Sequence, residues 1–217
     1  MNLHTTSPSQ GSQAHRRHLL VTTALVGALT LVTLTSLQGC VLLLGAGAVA
    51  GGLSLNDRRT GGAQVEDESI ELKSGPRIHE AIGDKGHINV TSYNRVVLIT
   101  GEVPTDADKA AAEKAVTGIE GVTNVVDELE VGANSTLSTR SSDTVITTRV
   151  KSALIDAKDI QASAIKVVTE RGNVYLMGRV TEREAARAAD IARSQPSVLK
   201  VVRVFGILTE EQLGNLK

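Results

Sequence analysis

The pattern of apolar and polar positions divides the chain into three stretches. From Leu19 to Leu37, "LLVTTALVGALTLVTLTSL" runs without a single charge. From Val41 to Gly62, "VLLLGAGAVAGGLSLNDRRTGG" is too rich in Gly and Ala to pack as a domain, and residues 40–65 read as a tether. Beyond it, apolar runs of strand length alternate with segments of helical composition up to the C-terminus.

This last stretch contains the same pattern twice. "INVTSYNRVVLITGEV" (Ile88 to Val103) aligns with "IKVVTERGNVYLMGRV" (Ile165 to Val180), which sets Gly101 against Gly178 and Val103 against Val180. Each is two apolar runs with a polar break, the pattern of a β-hairpin. In the second copy Gly172 can supply a positive φ at the turn. The first offers Asn94-Arg95, where only Asn takes that conformation readily, so its turn is the less comfortable one. After each hairpin comes a helix start, Thr181 with Glu184 as a capping box and Thr105 with Asp108 as its weaker twin. A final strand follows in each copy, "GVTNVVDELEV" and "SVLKVVRVFGIL". A helical segment precedes each hairpin, "DESIELKSGPRIHEAI" and "DTVITTRVKSALIDA".

The expected fold is therefore α+β in two tandem units, each helix-strand-strand-helix-strand with two helices on a small three-stranded sheet. The first covers residues 66–132 and the second 143–210. The Ser, Thr, Asn and Gly composition of "GANSTLSTRSS" marks 133–142 as a linker, and 211–217 are left as a C-terminal tail. Gly75-Pro76 falls inside the first helix, which is expected to kink or split there because Pro costs about 3 kcal/mol in a helix interior. Gly101 and Gly178 sit near the ends of second strands, where Gly marks a bulge or a close backbone approach, and both are read as structural sites.

Composition narrows the chemistry. With no Trp, one Phe and two Tyr, the cores must be aliphatic. The single cysteine, Cys40, excludes an internal disulfide and a thiolate zinc cluster. Past residue 39 only His79 and His87 remain. No nucleophile elbow, P-loop or metal-spaced cluster occurs, so neither an enzyme, a cofactor nor a metal is expected. The acidic pairs Asp106 with Asp108 and Glu182 with Glu184 fit helix first turns better than acid-base catalysis.

Arg16 and Arg17 before the Leu19 to Leu37 run, with small and polar residues after it, give the parts of an export signal. A run of that length is also long enough for a retained transmembrane helix. Leu37-Gln38-Gly39-Cys40 resembles a bacterial lipobox, which implies cleavage after residue 39 and lipidation of Cys40. Several acyl chains on one residue would anchor the protein stably, since each buried CH2 contributes about 0.8 kcal/mol. The resemblance extends to Val41, where Asp would signal inner-membrane retention, and so implies an outer-membrane lipoprotein facing the periplasm.

Charge is distributed unevenly between the units. Glu66 to Gly132 holds 6 Lys and Arg against 14 Asp and Glu, whereas Ala133 to Lys217 holds 13 against 9. Anionic lipid would repel the first and attract the second. On a helical wheel started from Asp143 as N-cap, Ile146, Val150, Ala153 and Leu154 form the packing side. Val145, Thr148, Arg149, Lys151, Ser152 and Ile155 form the other. Cations beside short apolar residues suit an interfacial helix, and the same set fits an ordinary solvated face.

The lipobox "LQGCV", the approach "DRRTGGAQVED", "INVTSY", "DTVITTRVKS" and "VYLMGRVTEREA" occur in the order and spacing of the tandem-BON-domain outer-membrane lipoproteins, and the chain resembles that family over nearly all its length past the signal. The resemblance implies no cofactor beyond the lipid on Cys40 and no enzymatic activity. It implies binding of anionic phospholipid such as phosphatidylglycerol through the first helix of the second unit. It further implies a role in envelope integrity and at division sites, and a link to the outer-membrane protein assembly machinery. A docking adaptor acting through the acidic first unit is the alternative; no nucleic-acid partner is expected. The family carries Trp where this chain has Val145, so lipid binding is expected to be weaker or more charge-dependent.

Overall fold

The computed structural model describes residues 57–216, so the expected signal, Cys40 and most of the expected tether lie outside the described residues. The order is α1 (Gly61–Ile82), β1 (His87–Tyr93), β2 (Val96–Val103), α2 (Asp106–Thr117), β3 (Asn124–Val131), α3 (Leu137–Asp156), a 3-10 turn (Ala162–Ala164), β4 (Ile165–Glu170), β5 (Asn173–Thr181), α4 (Glu182–Arg193), β6 (Lys200–Leu208) and the short α5 (Glu210–Gly214). Each repeat is one three-stranded sheet, ordered β1-β2-β3 and β4-β5-β6. The hairpin pair is antiparallel and the last strand runs parallel to the central one. This is the α+β tandem arrangement that the repeat in the sequence predicts.

The central strands explain how the repeats combine. In β2 the side chains Val97, Ile99 and Val103 face α1 and α2, and in β5 Val174, Leu176 and Val180 face α3 and α4. The alternate positions are buried as well, because a side chain on a strand points to the opposite face at every step. Leu98 of β2 packs with Tyr175 and Met177 of β5 and with Tyr93, flanked by Val126, Val168, Val202 and Val204. The two sheets therefore stack face to face with a helical layer outside each. Both central strands read as nearly unbroken apolar runs for that reason.

Polar contacts close the seam between the repeats. Lys166 reaches Glu71 at 3.0 Å, Lys200 reaches Glu128 at 3.3 Å, and Arg171 lies 3.4 Å from Glu130. Part of the charge asymmetry between the repeats is thus neutralised internally. The segment before α1 adds a strap. Arg58 donates to both carboxylate oxygens of Glu184 at 2.7 and 2.8 Å and to the Arg179 carbonyl, while Arg59 donates to Asp57 and Asp67 and lies over the Tyr93 ring. "DRR", assigned to the tether from composition, is part of the folded body.

Four expectations are corrected here. Residues 133–142 are not a free linker, since α3 begins at Leu137 with Thr136 as its N-cap. Ser141, Ser142, Thr144 and Thr148 turn their hydroxyls back onto carbonyls four residues earlier, which lets a Ser/Thr-rich stretch stay helical. Asp143 is consequently not an N-cap but a buried residue in the second turn. Finally, α1 runs unbroken through Pro76. Leu72, whose carbonyl loses its donor to the proline, and Pro76 itself are both exposed, so water can serve that carbonyl. The expected tail past residue 210 includes α5, closed by a Thr209 and Gln212 capping box.

Candidate functional site

Asp143 sets the position of α3 on its sheet. Its carboxylate accepts from the backbone N–H groups of Arg171 and Gly172 at 2.9 and 2.8 Å, holding the β4-β5 turn, where those residues have φ of 49° and 76°. The first repeat uses the same clamp. Asp67 of α1 accepts from Asn94 and Arg95 at 2.6 and 2.8 Å, with φ of 51° and 67° at the β1-β2 turn. Asp67 also takes the Ser92 hydroxyl at 2.6 Å and Arg59 at 2.7 Å. A charge-assisted clamp of this kind offsets the strain of two non-glycine residues at positive φ, and it supports the turn that the sequence marks as uncomfortable. The sequence around Asp67 leaves it unmarked, and that around Asp143 points to an N-cap, not to a clamp. The available signal was an acid recurring at the same place inside the apolar stripe of both first helices.

With α3 fixed by Asp143 and by Ile146, Val150 and Leu154 in the core, its outward residues follow from the helical period. Val145, Thr148, Arg149, Lys151, Ser152 and Ile155 are all exposed and share one side of the helix. Val145 is 47 % exposed and Ile155 66 %, so two aliphatic groups stand toward the ends of the patch. Among the described residues, neither Arg149 nor Lys151 pairs with a carboxylate, unlike Lys166, Arg171 and Lys200 at the seam. The face can present two uncompensated cations and two apolar side chains to an anionic surface. Thr148 and Lys151 also line a cavity of about 470 Å3 beside α3, together with His87, Asn89, Arg140 and Glu170.

Gly101 and Gly178 hold equivalent places, opposite Ile88 and Ile165 in the hairpin registers. Their φ values are +117° and +158°, and a Cβ would collide with the carbonyl oxygen of His87 at one and of Ala164 at the other. Among the described residues no helix is long and apolar enough to cross a membrane.

The fold also brings together groups that no spacing in the sequence links. His87 and Glu102 are direct cross-strand partners, and Glu170 at the end of β4 approaches them from the other repeat. Burial pushes the Glu170 carboxyl above the ordinary glutamate range. At the strap, hydrogen bonding from Arg58 holds the Glu184 carboxyl below that range. Tyr93, buried behind the strap, has its phenol pushed up to about 12 by burial.

Comparison with known proteins agrees with this architecture. The BON domain model matches residues 67–133 and 142–207, one copy per repeat. The chain is 39 % identical over 175 residues to Outer membrane lipoprotein DolP of Haemophilus influenzae, covering 79 % of this chain and 90 % of that protein. It is 35 % identical over 151 residues to a 21 kDa hemolysin of Actinobacillus pleuropneumoniae, covering 69 % and 78 % respectively. It is also 32 % identical over 117 residues to Osmotically-inducible protein Y of Escherichia coli, covering 52 % and 58 %. With two copies of the domain and 39 % identity over most of its length to Outer membrane lipoprotein DolP, the chain belongs to the BON domain family as a dual-domain member of the DolP type.

Proposed function

We propose that the chain is a non-enzymatic outer-membrane lipoprotein, anchored through Cys40 and facing the periplasm, whose α3 binds anionic phospholipid in support of envelope integrity, with division sites as its place of action. The observation that carries this reading is the outward face of α3. Arg149 and Lys151 stand free of carboxylates beside exposed Val145 and Ile155, whereas the cations at the seam are engaged by the first repeat. Juxtamembrane cations contribute about 1 kcal/mol each at an anionic surface, and short aliphatic residues add modest insertion. Without an aromatic at Val145, charge carries most of the attraction.

The test is vesicle co-sedimentation of residues 54–217, which keep the Arg58 strap, on phosphatidylglycerol-containing and purely zwitterionic vesicles at two salt concentrations. Binding to the anionic vesicles alone, weakened by salt and abolished by Arg149→Glu with Lys151→Glu, is the expected result. Equal sedimentation of wild type and double variant would sink the assignment to α3.

A second reading has its own support. On α1, Val65 is 70 % and Leu72 71 % exposed, with Glu66 and Glu68 nearby. An apolar and acidic helix suits a protein partner, and the outer-membrane protein assembly machinery is the candidate. Under that reading, function survives the α3 charge reversal and fails when Leu72 is replaced by Lys.

A further inference from the structure

We propose that His87, Glu102 and Glu170 form a binding site for a first-row divalent cation of the zinc type, which would clamp the first repeat to the second. One ligand atom from each residue lies within 4.8 Å of the others. Glu102 is fully buried, Glu170 nearly so, and the His87 side chain is 20 % exposed.

The hydrogen bonding around these groups is incomplete on one atom of each of two residues. His87 Nδ1 and Glu102 Oε1 are buried without any hydrogen-bond partner. His87 Nδ1 and Glu102 Oε2 stand 3.4 Å apart without forming a hydrogen bond. Buried imidazole nitrogens and carboxylate oxygens are ordinarily satisfied, so His87 Nδ1 and Glu102 Oε1, each buried without a hydrogen bond, leave donor capacity for a further group. A tetrahedral zinc ion with bonds of roughly 2.0–2.1 Å sets its ligands about 3.3 Å apart, which the 3.4 Å between His87 Nδ1 and Glu102 Oε2 matches. The Glu170 carboxylate, within 4.8 Å, has to close in by a side-chain adjustment. One imidazole and two carboxylates, with water in the fourth position, is a donor set that zinc accepts.

The surroundings are those of a prepared site. The Ser135 N–H donates to Glu102 Oε2 at 3.0 Å and the Asn89 side-chain amide donates to Glu170 Oε2 at 2.9 Å, so both carboxylates are oriented from outside the cluster. Arg171 lies 3.5 Å from Glu102 Oε1, but it is shared with Glu130 and leaves the two buried carboxylates under-compensated. The cavity lined by His87, Asn89 and Glu170 gives an ion a route from solvent.

The experiment is calorimetric titration of the full-length chain in detergent, stripped with chelator, using zinc chloride, with magnesium and calcium as controls. One zinc ion per chain should bind with saturation while magnesium and calcium do not. Because removing an outer-shell partner already costs about 10–100-fold, His87→Ala and Glu170→Gln should each weaken affinity by on the order of a hundredfold or more. His79→Ala should leave it unchanged. X-ray absorption at the zinc edge should give one imidazole in a nitrogen and oxygen shell. If His87→Ala fails to fold by circular dichroism, His87→Gln keeps a polar side chain of similar reach and must show the same loss. Absence of saturable binding, binding that survives both ligand variants, or binding removed by His79→Ala would overturn the site.

Discussion

The two repeats share a frame and differ on their outer surfaces. Thr60 and Thr136 cap their first helices, Asp67 and Asp143 hold their hairpin turns, and Gly101 and Gly178 let the first strand approach the second. Counted from the caps, Arg149 corresponds to Lys73, but Val145 meets Ser69, Lys151 meets Gly75 and Ser152 meets Pro76. Gly and Pro take the places where α3 carries a cation and a hydroxyl. The frame is what the fold requires twice, while the outward helix face is free to diverge: α3 sets Arg149 and Lys151 between Val145 and Ile155, whereas α1 sets Leu72 and Lys73 beside Gly75 and Pro76.

The most severe way to break the comparison is at the shared glycines. Gly178→Val or Gly101→Val should abolish folding or destabilise by about 3 kcal/mol or more, because backbone strain adds to a clash with a carbonyl that cannot move away. Thermal denaturation followed by circular dichroism measures it. A melting point within a few degrees of wild type would show that the strands can separate there at little cost.

The clamps come next, and here the repeats should differ. Hydrogen bonds to charged groups contribute roughly 1.5–3 kcal/mol each. Asp67→Ala, which releases two amides, a hydroxyl and Arg59, should therefore cost more than Asp143→Ala, which releases two amides. Urea denaturation of both variants ranks them, and the reverse order would mean that the turn in the second repeat depends more on its clamp despite Gly172.

The strap supplies a pH-dependent term. Glu184 has its carboxyl lowered by Arg58, so the pair stabilises above the ordinary glutamate value near 4.5 and that contribution is lost as pH falls through the lowered one. Arg58→Ala should destabilise by about 3 kcal/mol at neutral pH by leaving a buried carboxylate alone, and the loss should shrink on acidification. Melting points of both proteins between pH 7 and pH 3 test this, and curves that stay parallel count against it.

On vesicles, the outer faces can be compared directly. Lys73→Glu in α1 should change phosphatidylglycerol binding far less than Arg149→Glu in α3, where each cation contributes about 1 kcal/mol. Equal losses would assign the attraction to overall charge instead of one helix. The smallest expected effect is Arg95→Gly. It gives the first turn the residue type that Gly172 provides in the second, relieving about 1 kcal/mol of positive-φ strain against the loss of an exposed ion pair to Glu66. A net gain of a few tenths to 1 kcal/mol in urea denaturation is expected, and a net loss would mean the ion pair outweighs the strain.

What could be read from the sequence was what local signals encode. The Thr181 and Glu184 capping box, the hairpin breaks and the paired glycines all depend on neighbours a few residues away, and the structure has each in place. The start of α3 was hidden because Ser and Thr are usual in linkers, and their hydroxyls satisfy helix carbonyls only once the helix exists. Arg58 looked like tether because its partners, Glu184 and the Arg179 carbonyl, are more than a hundred residues away. The meeting of His87, Glu102 and Glu170 depends on the stacking of two sheets, which no stretch of either repeat contains. The six outward residues of α3 could be placed because helical period alone fixes a face once the core side is known.

The stacked sheets bear on whether the protein can be divided. Leu98 and Tyr175 occupy corresponding positions in their repeats, as do Val126 and Val202, but Met177 and Val204 of the second repeat meet Thr100 and Glu128 at the equivalent places of the first, so the two patches at the seam are complementary without being identical. A chain cut between β3 and α3 should yield two fragments that reassociate with each other, because the acids of one face the cations of the other across the seam. Neither repeat is a portable cassette. The molecule is built as an unlike pair fused into one chain, and covalent linkage allows the two halves to carry different side chains on their outer helices.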